Sequence, residues 1–296
     1  MGSIASATTM GAVGLIVADL NRSLAFYTGA LGLHVQRRTP QQAWLGADGP
    51  TLLVLTEQPG AKPVQRGHTG LYHVAYLLPS RTDLARTLRH LIETRTVLSG
   101  ASDHGVSEAL YLSDPDGHGI EIFRDRPRSE WPSAGGALEM TLDPLDAAGL
   151  LQEIAGAHEA WHGMAAGTRI GHVHLHVRDI KEAETFYCTI LGFDLMQRFA
   201  GQASFVSAGG YHHHLGLNVW AGVGAPPPPD DAARLHWYEI LLPDADAYAE
   251  VLTRLRAANV AVDDRSGVAA LYDPAGNPIR LIDTYADNAR PEATGA

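Results

Sequence analysis

The chain has 296 residues, 45% of them hydrophobic and 19% charged, which is enough for two ordinary globular domains with sizeable cores. A net charge of −11 argues against a nucleic-acid partner, which would need a basic face. No apolar run approaches the ~20 residues that a membrane-spanning helix needs, and residues 1–9 lack the features of a secretory signal, so we expect no membrane association. Cys188 is the single cysteine, which excludes an intrachain disulfide and suits a reducing cytoplasm. We expect its side chain to be a small buried group on a helix.

The first predicted elements are a strand over 13–17 and a helix that begins at Asp19. The motif Asp-Leu-x-x-Ser-x-x-Phe-Tyr starts at this aspartate, and Asp-Ile-x-x-Ala-x-x-Phe-Tyr starts 160 positions later at Asp179, after a strand-like run over 173–177. Each aspartate is well placed to accept hydrogen bonds from free backbone N–H groups at the start of a helix. The recurrence therefore predicts two copies of one strand-helix element.

A second repeated element follows in each half of the chain. Residues 70–79 resemble residues 234–243, and both segments end in Leu-Leu-Pro. Each segment is followed later in its unit by the sequence Asp-Pro-x-Gly. This sequence predicts a turn between strands, because proline fixes φ and glycine accepts a positive φ. The intervening helices are predicted near 82–93 and 244–258.

Together the repeats predict an α+β fold of four strand-helix-strands units. These are unit one (11–58), unit two (69–125), unit three (170–222) and unit four (234–284). We divide the chain into an N-terminal half (1–130), a connector (131–168) and a C-terminal half (169–296), with two units in each half.

Four βαβββ units with these signatures resemble the vicinal oxygen chelate superfamily. The most similar members are its extradiol (type I) ring-cleaving dioxygenases of the catechol 2,3-dioxygenase kind. The resemblance covers nearly the whole chain. It implies that units pair into two cup-shaped sheets, in which the first and last strands of units supply metal ligands.

The resemblance implies a metal site at His73, His172 and Glu121. His172 lies seven residues before the helix-capping aspartate of unit three, His73 occupies the comparable position of unit two, and Glu121 lies seven after the turn aspartate of that unit. Two imidazoles and one carboxylate with open positions suit non-haem Fe(II), and Mn(II) is an alternative. Taken singly, each histidine is more often an ordinary strand residue than a ligand.

The corresponding positions of units one and four hold no usable ligand set. They carry Ala12, Trp237 and Arg280, which we expect to pack structurally. We therefore predict that units two and three form the metal cup and that units one and four pair outside it. An exchange of units between subunits would satisfy the same requirement.

The resemblance also implies catalytic residues. Tyr111 lies ten residues before Glu121, where the family has a tyrosine that contacts the diol, and His104 fits the histidine expected upstream although its spacing is about two residues short. The segment His-His-Leu-Gly selects His213 as the acid/base, and a one-residue bulge would select His214 instead. Each assignment has a structural alternative. Tyr111 would then be an ordinary half-buried strand residue, and the consecutive histidines would be polar loop residues without a catalytic role.

Three other histidines are assigned by strand alternation. His174 and His176 share the face of His172 and are expected to point into the same cup. His236 is one residue out of register with His73 and is expected to face away.

The implied reaction is cleavage of a catechol-type diol by O₂, beside rather than between the hydroxylated carbons, by a homo-oligomer. His213 would handle the proton, and Tyr111 would steady the intermediate. Two alternatives remain. One is another metal-dependent member such as a glyoxalase-type isomerase, and the other is a metal-free binding or resistance protein.

Overall fold

The repeated units are present in the computed structural model, which describes residues 2–156, 161–265 and 267–284. Unit one consists of β1 (Thr9–Val17), α1 (Leu20–Gly29), β2 (His34–Arg38), β3 (Gln42–Gly46) and β4 (Thr51–Glu57). Unit two consists of β5 (Gly70–Leu77), α2 (Arg81–Glu93), β6 (Gly100–Asp103), β7 (Ser107–Ser113) and β8 (Gly119–Asp125). The predicted cap is present, because Asp19 accepts a hydrogen bond from the Arg22 backbone N–H.

The connector contains only short elements of regular structure. A 3₁₀ turn (Arg128–Glu130) precedes it. The connector itself contains β9 (Ser133–Ala134), β10 (Ala137–Leu138), β11 (Asp143–Pro144) and α3 (Ala147–Gln152). Strand β11 pairs with β6, so the connector extends the sheet of unit two.

The C-terminal half repeats the pattern. Unit three consists of β12 (Arg169–His176), α4 (Ile180–Glu184) with a π-helical continuation (Thr185–Ile190), β13 (Asp194–Phe199), β14 (Ala203–Ser207) and β15 (Leu215–Asn218). Unit four consists of β16 (Arg234–Leu242), α5 (Ala245–Ala257), β17 (Asp263–Arg265), β18 (Val268–Tyr272) and β19 (Pro278–Asp283).

Two large sheets organise these strands, and each takes one unit from each half of the chain. The nine-stranded sheet has the order β11-β6-β7-β8-β5-β12-β15-β14-β13, which joins units two and three. The eight-stranded sheet has the order β17-β18-β19-β16-β1-β4-β3-β2, which joins units four and one. In both, the first strands of the two units meet antiparallel at the centre. The predicted pairing is therefore confirmed, and it occurs within a single chain.

The two repeated motifs meet in the core. The Tyr27 hydroxyl of α1 donates to the turn residue Asp114 at 3.1 Å, and the Tyr187 hydroxyl of unit three donates to Asp273 at 2.9 Å. All four side chains are buried. Each helix is thereby tied to the turn of the following unit, which lies in the other sheet.

In the part of the chain that the structure describes, every helix is too short or too polar to cross a membrane.

Candidate active site

Three of the predicted residues converge inside the nine-stranded sheet. His73 Nε2 lies 2.9 Å from Glu121 Oε2, and His172 Nε2 lies 3.0 Å from the same oxygen. The two imidazole nitrogens are 3.3 Å apart. All three side chains are buried. The residues predicted from two different units thus form one cluster.

The strand register explains why these side chains meet. Ala75 in β5 pairs with His172 in β12 on one side and with Glu121 in β8 on the other. The small Ala75 side chain leaves the space between them open. His73 lies two residues before Ala75 and therefore on the same face. Tyr111 in β7 pairs with Glu121, so it extends this row across the sheet.

The charge states of the cluster suit a metal. Burial raises the pKa of the Glu121 carboxyl, but the charge and hydrogen bond of His172 and the hydrogen bond of His73 outweigh it and hold the pKa well below its ordinary value. Burial lowers the pKa of His172 to about 4, against the opposing effect of Glu121. An ionised carboxylate and a neutral imidazole are the forms that coordinate a metal ion.

The spacing of the donor atoms also fits a metal. Ligand bonds of ~2.1 Å at right angles place neighbouring donor atoms ~3.0 Å apart. The three separations here are 2.9, 3.0 and 3.3 Å. Among the described residues, this is the one group of three or more histidine, cysteine or carboxylate side chains arranged closely enough to hold an ion. Two imidazoles and one carboxylate leave the remaining coordination positions for other molecules.

Tyr111 and His104 form a hydrogen-bonded pair beside the cluster. His104 Nε2 lies 2.7 Å from the Tyr111 hydroxyl, and His104 Nδ1 lies 2.9 Å from the Thr141 carbonyl oxygen. Since a carbonyl only accepts, Nδ1 of His104 donates, and Nε2 of a neutral ring accepts from the tyrosine. Burial and the nearby Glu121 charge raise the pKa of the Tyr111 phenol well above its ordinary value, so the hydroxyl keeps its proton.

The structure separates the two candidate acid/base histidines. His213 lines the cavity above the cluster, and its ring centre lies 4.1 Å from that of His172. His214 lies outside the cavity lining, where its Nδ1 accepts from the Ala208 N–H at 3.1 Å. Strand alternation does not decide between them, because β15 begins only at Leu215.

The three histidines that were assigned by strand alternation lie where it places them. His174 and His176 line the cavity, and His174 Nε2 is buried with no hydrogen-bond partner among the described residues. His236 belongs to β16 in the other sheet and does not line the cavity.

The corresponding positions of the eight-stranded sheet are packed, as predicted. The Arg280 guanidinium lies over the Trp237 ring at 4.0 Å, and Trp237 forms a small buried cluster with Ala12 and Val54. Cys188 is partly buried against the core, and burial raises the pKa of its thiol to about 11.

A cavity of about 800 Å³ surrounds the cluster. One part of its lining was not predicted, namely a wall of large apolar side chains. These are Met140, Leu142, Phe199 and Trp220. Met140 and Leu142 belong to the connector, and the sequence offers no signal for where a connector of small residues will run.

The sequence reasoning also missed Asp125 and His212. His212 Nε2 lies 2.9 Å from Asp125 Oδ1, and His212 Nδ1 lies 2.8 Å from His213 Nδ1. The available signals were the consecutive histidines and the position of Asp125, four residues after Glu121 in the same strand.

Comparisons with known proteins agree with this architecture. The chain is 45% identical over 278 residues to the catechol-2,3-dioxygenase of Bacillus subtilis (strain 168), covering 93% of this chain and 96% of that protein. The solved structure of a putative dioxygenase from Bacillus subtilis subsp. subtilis str. 168 has a TM-score of 0.64 at 16% identity, covering 95% of this chain and 86% of that one. Glyoxalase I from Zea mays has a TM-score of 0.59 at 18% identity, covering 96% and 95%. At these identities the two solved structures support the fold alone.

A family model matches both halves of the chain. The model is described as the Glyoxalase/Bleomycin resistance protein/Dioxygenase superfamily, and it matches residues 9–122 and 169–281. These ranges hold units one and three and all but the last three residues of units two and four. The chain therefore belongs to the glyoxalase/bleomycin resistance protein/dioxygenase superfamily.

Proposed function

We propose that this protein is a metal-dependent extradiol dioxygenase that opens the ring of a catechol-type diol with O₂. The observation that carries the proposal is the convergence of His73, Glu121 and His172 on one point of a cavity that Tyr111 and His213 also line. The 45% identity to a catechol-2,3-dioxygenase over nearly the full chain supports the same reaction.

The metal of the proposed site is Fe(II), with Mn(II) as the alternative. When bound, it would hold the diol and O₂ side by side and lower the proton affinity of the diol oxygens. His73, His172 and Glu121 would hold it. Their burial keeps bulk water from the carboxylate and strengthens its hold on a cation.

Tyr111 and His213 have the positions required for proton control. The Tyr111 hydroxyl keeps its proton and lies in the row next to Glu121. Its single hydrogen is donated to His104 in this structure, and we propose that it turns to an oxygen of a bound diol. Burial, and then the positive potential of the neighbouring histidines, lowers the pKa of His213 well below its ordinary value. His213 is therefore neutral at rest and can accept a proton. His214 lies outside the cavity, so the proposal gives this role to His213 alone.

The cavity indicates which diols fit. Its volume of about 800 Å³ lies near the upper end of the ~300–1,000 Å³ range of small-molecule sites, well beyond the needs of one six-membered ring. The apolar wall contains Leu142, Phe199 and Trp220, which are 68%, 47% and 43% exposed respectively. A diol that carries an apolar substituent would cover these side chains. We therefore propose substituted rather than plain catechols as the preferred substrates.

The test is oxygen uptake by protein loaded anaerobically with Fe(II) or Mn(II). We expect catechols to consume one O₂ per diol, with both atoms of ¹⁸O₂ found in the product by mass spectrometry. Diols with an alkyl or aryl substituent should show a lower KM than catechol. His213→Asn serves as the control, because it should retain the metal and lose turnover. Bound metal with no diol-dependent O₂ uptake, but with isomerisation of a hemithioacetal, would establish the glyoxalase-type alternative instead.

Two further proposals concern the setting of the enzyme. The partly buried free thiol of Cys188 suits a reducing compartment, and we place the protein in the cytoplasm. We also propose a homo-oligomer. The nine-stranded sheet brings the three proposed ligands together in one chain, so the proposed metal site does not depend on assembly.

A further inference from the structure

A chain of hydrogen bonds runs from the end of β8 to the proposed proton acceptor. Asp125 Oδ1 lies 2.9 Å from His212 Nε2, and His212 Nδ1 lies 2.8 Å from His213 Nδ1. The Tyr211 hydroxyl donates to both carboxylate oxygens of Asp125, at 3.2 and 3.0 Å. His212 is fully buried and lies outside the cavity, whereas His213 lines it.

The chemistry of the donors and acceptors fixes the direction of this chain. An ionised carboxylate only accepts, so the nitrogen of His212 that faces Asp125 carries a hydrogen. With a single N–H on His212, given to Asp125, its Nδ1 is an acceptor. The hydrogen between the two rings must therefore belong to Nδ1 of His213. This leaves Nε2 of His213 without a hydrogen and available to a molecule in the cavity.

We propose that Asp125 and His212 are positioning residues that hold His213 as its Nδ1–H tautomer, with the Nε2 lone pair available to the diol. The role resembles in its logic that of a buried carboxylate that fixes the tautomer of a catalytic histidine. Here a second imidazole stands between the carboxylate and the catalytic ring. The inference rests on the proposed function, because that function gives His213 its role.

The position of Asp125 in the fold indicates that this chain of hydrogen bonds does more than pair buried polar atoms. Asp125 lies in the same strand as the proposed ligand Glu121, so one element sets both the metal site and the proton acceptor. The rings of His172 and Phe205 lie 4.1 and 5.0 Å from that of His213 and confine its plane. Packing limits where the ring lies, and the hydrogen bond to His212 determines which of its nitrogens carries the hydrogen.

The direct test is the hydrogen position on each ring. We would record two-bond ¹H–¹⁵N spectra of histidine-labelled protein, metal-free and loaded with diamagnetic Zn²⁺, and assign His213 with His213→Asn. The expected pattern is Nδ1–H with a bare Nε2 for His213, and the opposite for His212. Tyr211→Phe removes the hydroxyl that donates to Asp125 and should leave this pattern unchanged. An Nε2–H tautomer for His213 in the unmodified protein would overturn the inference.

The second test compares two substitutions of His212 in the Fe(II)-loaded enzyme. His212→Asn places a side-chain oxygen near the position of Nδ1, so it can still accept from His213, whereas His212→Phe fills the volume and accepts nothing. We expect kcat to fall by about 10- to 100-fold in His212→Phe, part of the ~10²–10⁴ that a general base supplies, and by only a few-fold in His212→Asn. KM for the diol and metal content should stay close to their original values. A role in packing alone predicts the reverse order, with Phe mild and Asn harmful, and that order would contradict the proposal.

The two tests separate this inference from the proposed function. The spectra do not depend on turnover, so the expected tautomers without diol oxidation would count against the dioxygenase reaction and in favour of the hydrogen-bond chain. Diol oxidation by a protein with the reversed tautomer would count against the chain alone.

Discussion

The nine-stranded and eight-stranded sheets are built from the same unit, but their matching positions hold opposite contents. In the first, His73, His172 and Glu121 face a cavity of about 800 Å³. In the second, the corresponding residues are Trp237, Ala12 and Arg280. The Trp237 indole fills the space, with the guanidinium of Arg280 lying on it at 4.0 Å.

The difference shows what each kind of cup requires. A filled cup needs room for its large side chain, and Gly14 supplies it, because a Cβ there would lie 2.5 Å from the Trp237 ring. An open cup needs a partner for its buried carboxylate, because an isolated buried charge is costly. In the proposed site, a cation held by the three ligands would provide that partner. The same fold therefore accommodates both contents. The residues at a few strand positions determine whether a sheet carries a packed side chain that adds to stability or a reactive site.

The largest expected contrast comes from the last-strand positions. Glu121→Ala should reduce bound metal from one ion per chain to none and abolish diol oxidation, because only two imidazoles and no carboxylate would remain to hold a divalent cation. Arg280→Ala alters the equivalent position of the other sheet and should keep the full metal content. Metal analysis after anaerobic loading measures both. Equal metal in the two variants would remove the distinction between the sheets.

A second contrast concerns stability and uses two tryptophans. Trp237→Ala should lower the free energy of unfolding by about 3–5 kcal/mol, since it empties a buried site, while metal binding persists. Trp220→Ala removes a side chain that is 43% exposed in the cavity wall and should cost less than half as much. It should instead raise KM for substituted diols. Denaturant unfolding of both variants checks this, and a larger loss of stability in Trp220→Ala would contradict it.

Tyr111→Phe tests the chemistry of the open cup. The hydroxyl lies in the row of Glu121 and supplies the hydrogen bond proposed for the diol, so its removal should lower kcat by about 100-fold, the scale for one lost donor to a developing charge. Metal content and the affinity for the diol should change little. Steady-state oxygen uptake with metal analysis of the same sample measures this. An unchanged kcat would reduce Tyr111 to a structural residue.

The smallest expected effect is a pH dependence of stability. It comes from His214, which lies outside both cups. Burial, and then the neighbouring His212, lowers the pKa of His214 to about 4 from an ordinary 6.5. Between pH 6.5 and 4 the unfolded chain therefore binds a proton that the folded protein does not, so stability is lost as the pH falls through this window. Between pH 7.5 and 5 this single group should cost about 2 kcal/mol.

The matched variant is His214→Asn, whose side-chain oxygen can still accept from the Ala208 N–H. It should lose about 2 kcal/mol less than the original protein over the same pH interval. Unfolding of metal-free protein at the two pH values measures this difference without a contribution from metal release. Parallel curves for the two proteins would show that His214 is not held neutral.

Much of the fold and the cluster of three proposed ligands could be predicted, the fold from local periodicity and the cluster from the ligand positions of the resembled family. The capping Asp19, the turn at Asp114 and the fixed offset from each turn to its last strand are properties of single units. Within these units, the positions at which the resembled family carries its metal ligands are occupied by His73, His172 and Glu121. The pairing of units two and three then followed from the need to bring the ligands together.

The rest depends on tertiary paths that local patterns do not encode. The connector carries Thr141, whose carbonyl fixes His104, yet nothing in its sequence indicates that it borders the cavity. His212 and His213 precede the last strand of unit three, so alternation could not orient them. Their roles depend on Asp125, which lies 87 residues from His212 along the chain.

The measurement that tests the central claim most directly is anomalous diffraction at the iron or manganese edge from crystals of the metal-loaded protein. The account predicts one strong peak per chain, bonded to Nε2 of His73, Nε2 of His172 and the carboxylate of Glu121 from that same chain, with no peak beside Trp237. A peak whose ligands come from two chains, or from other side chains, would contradict it.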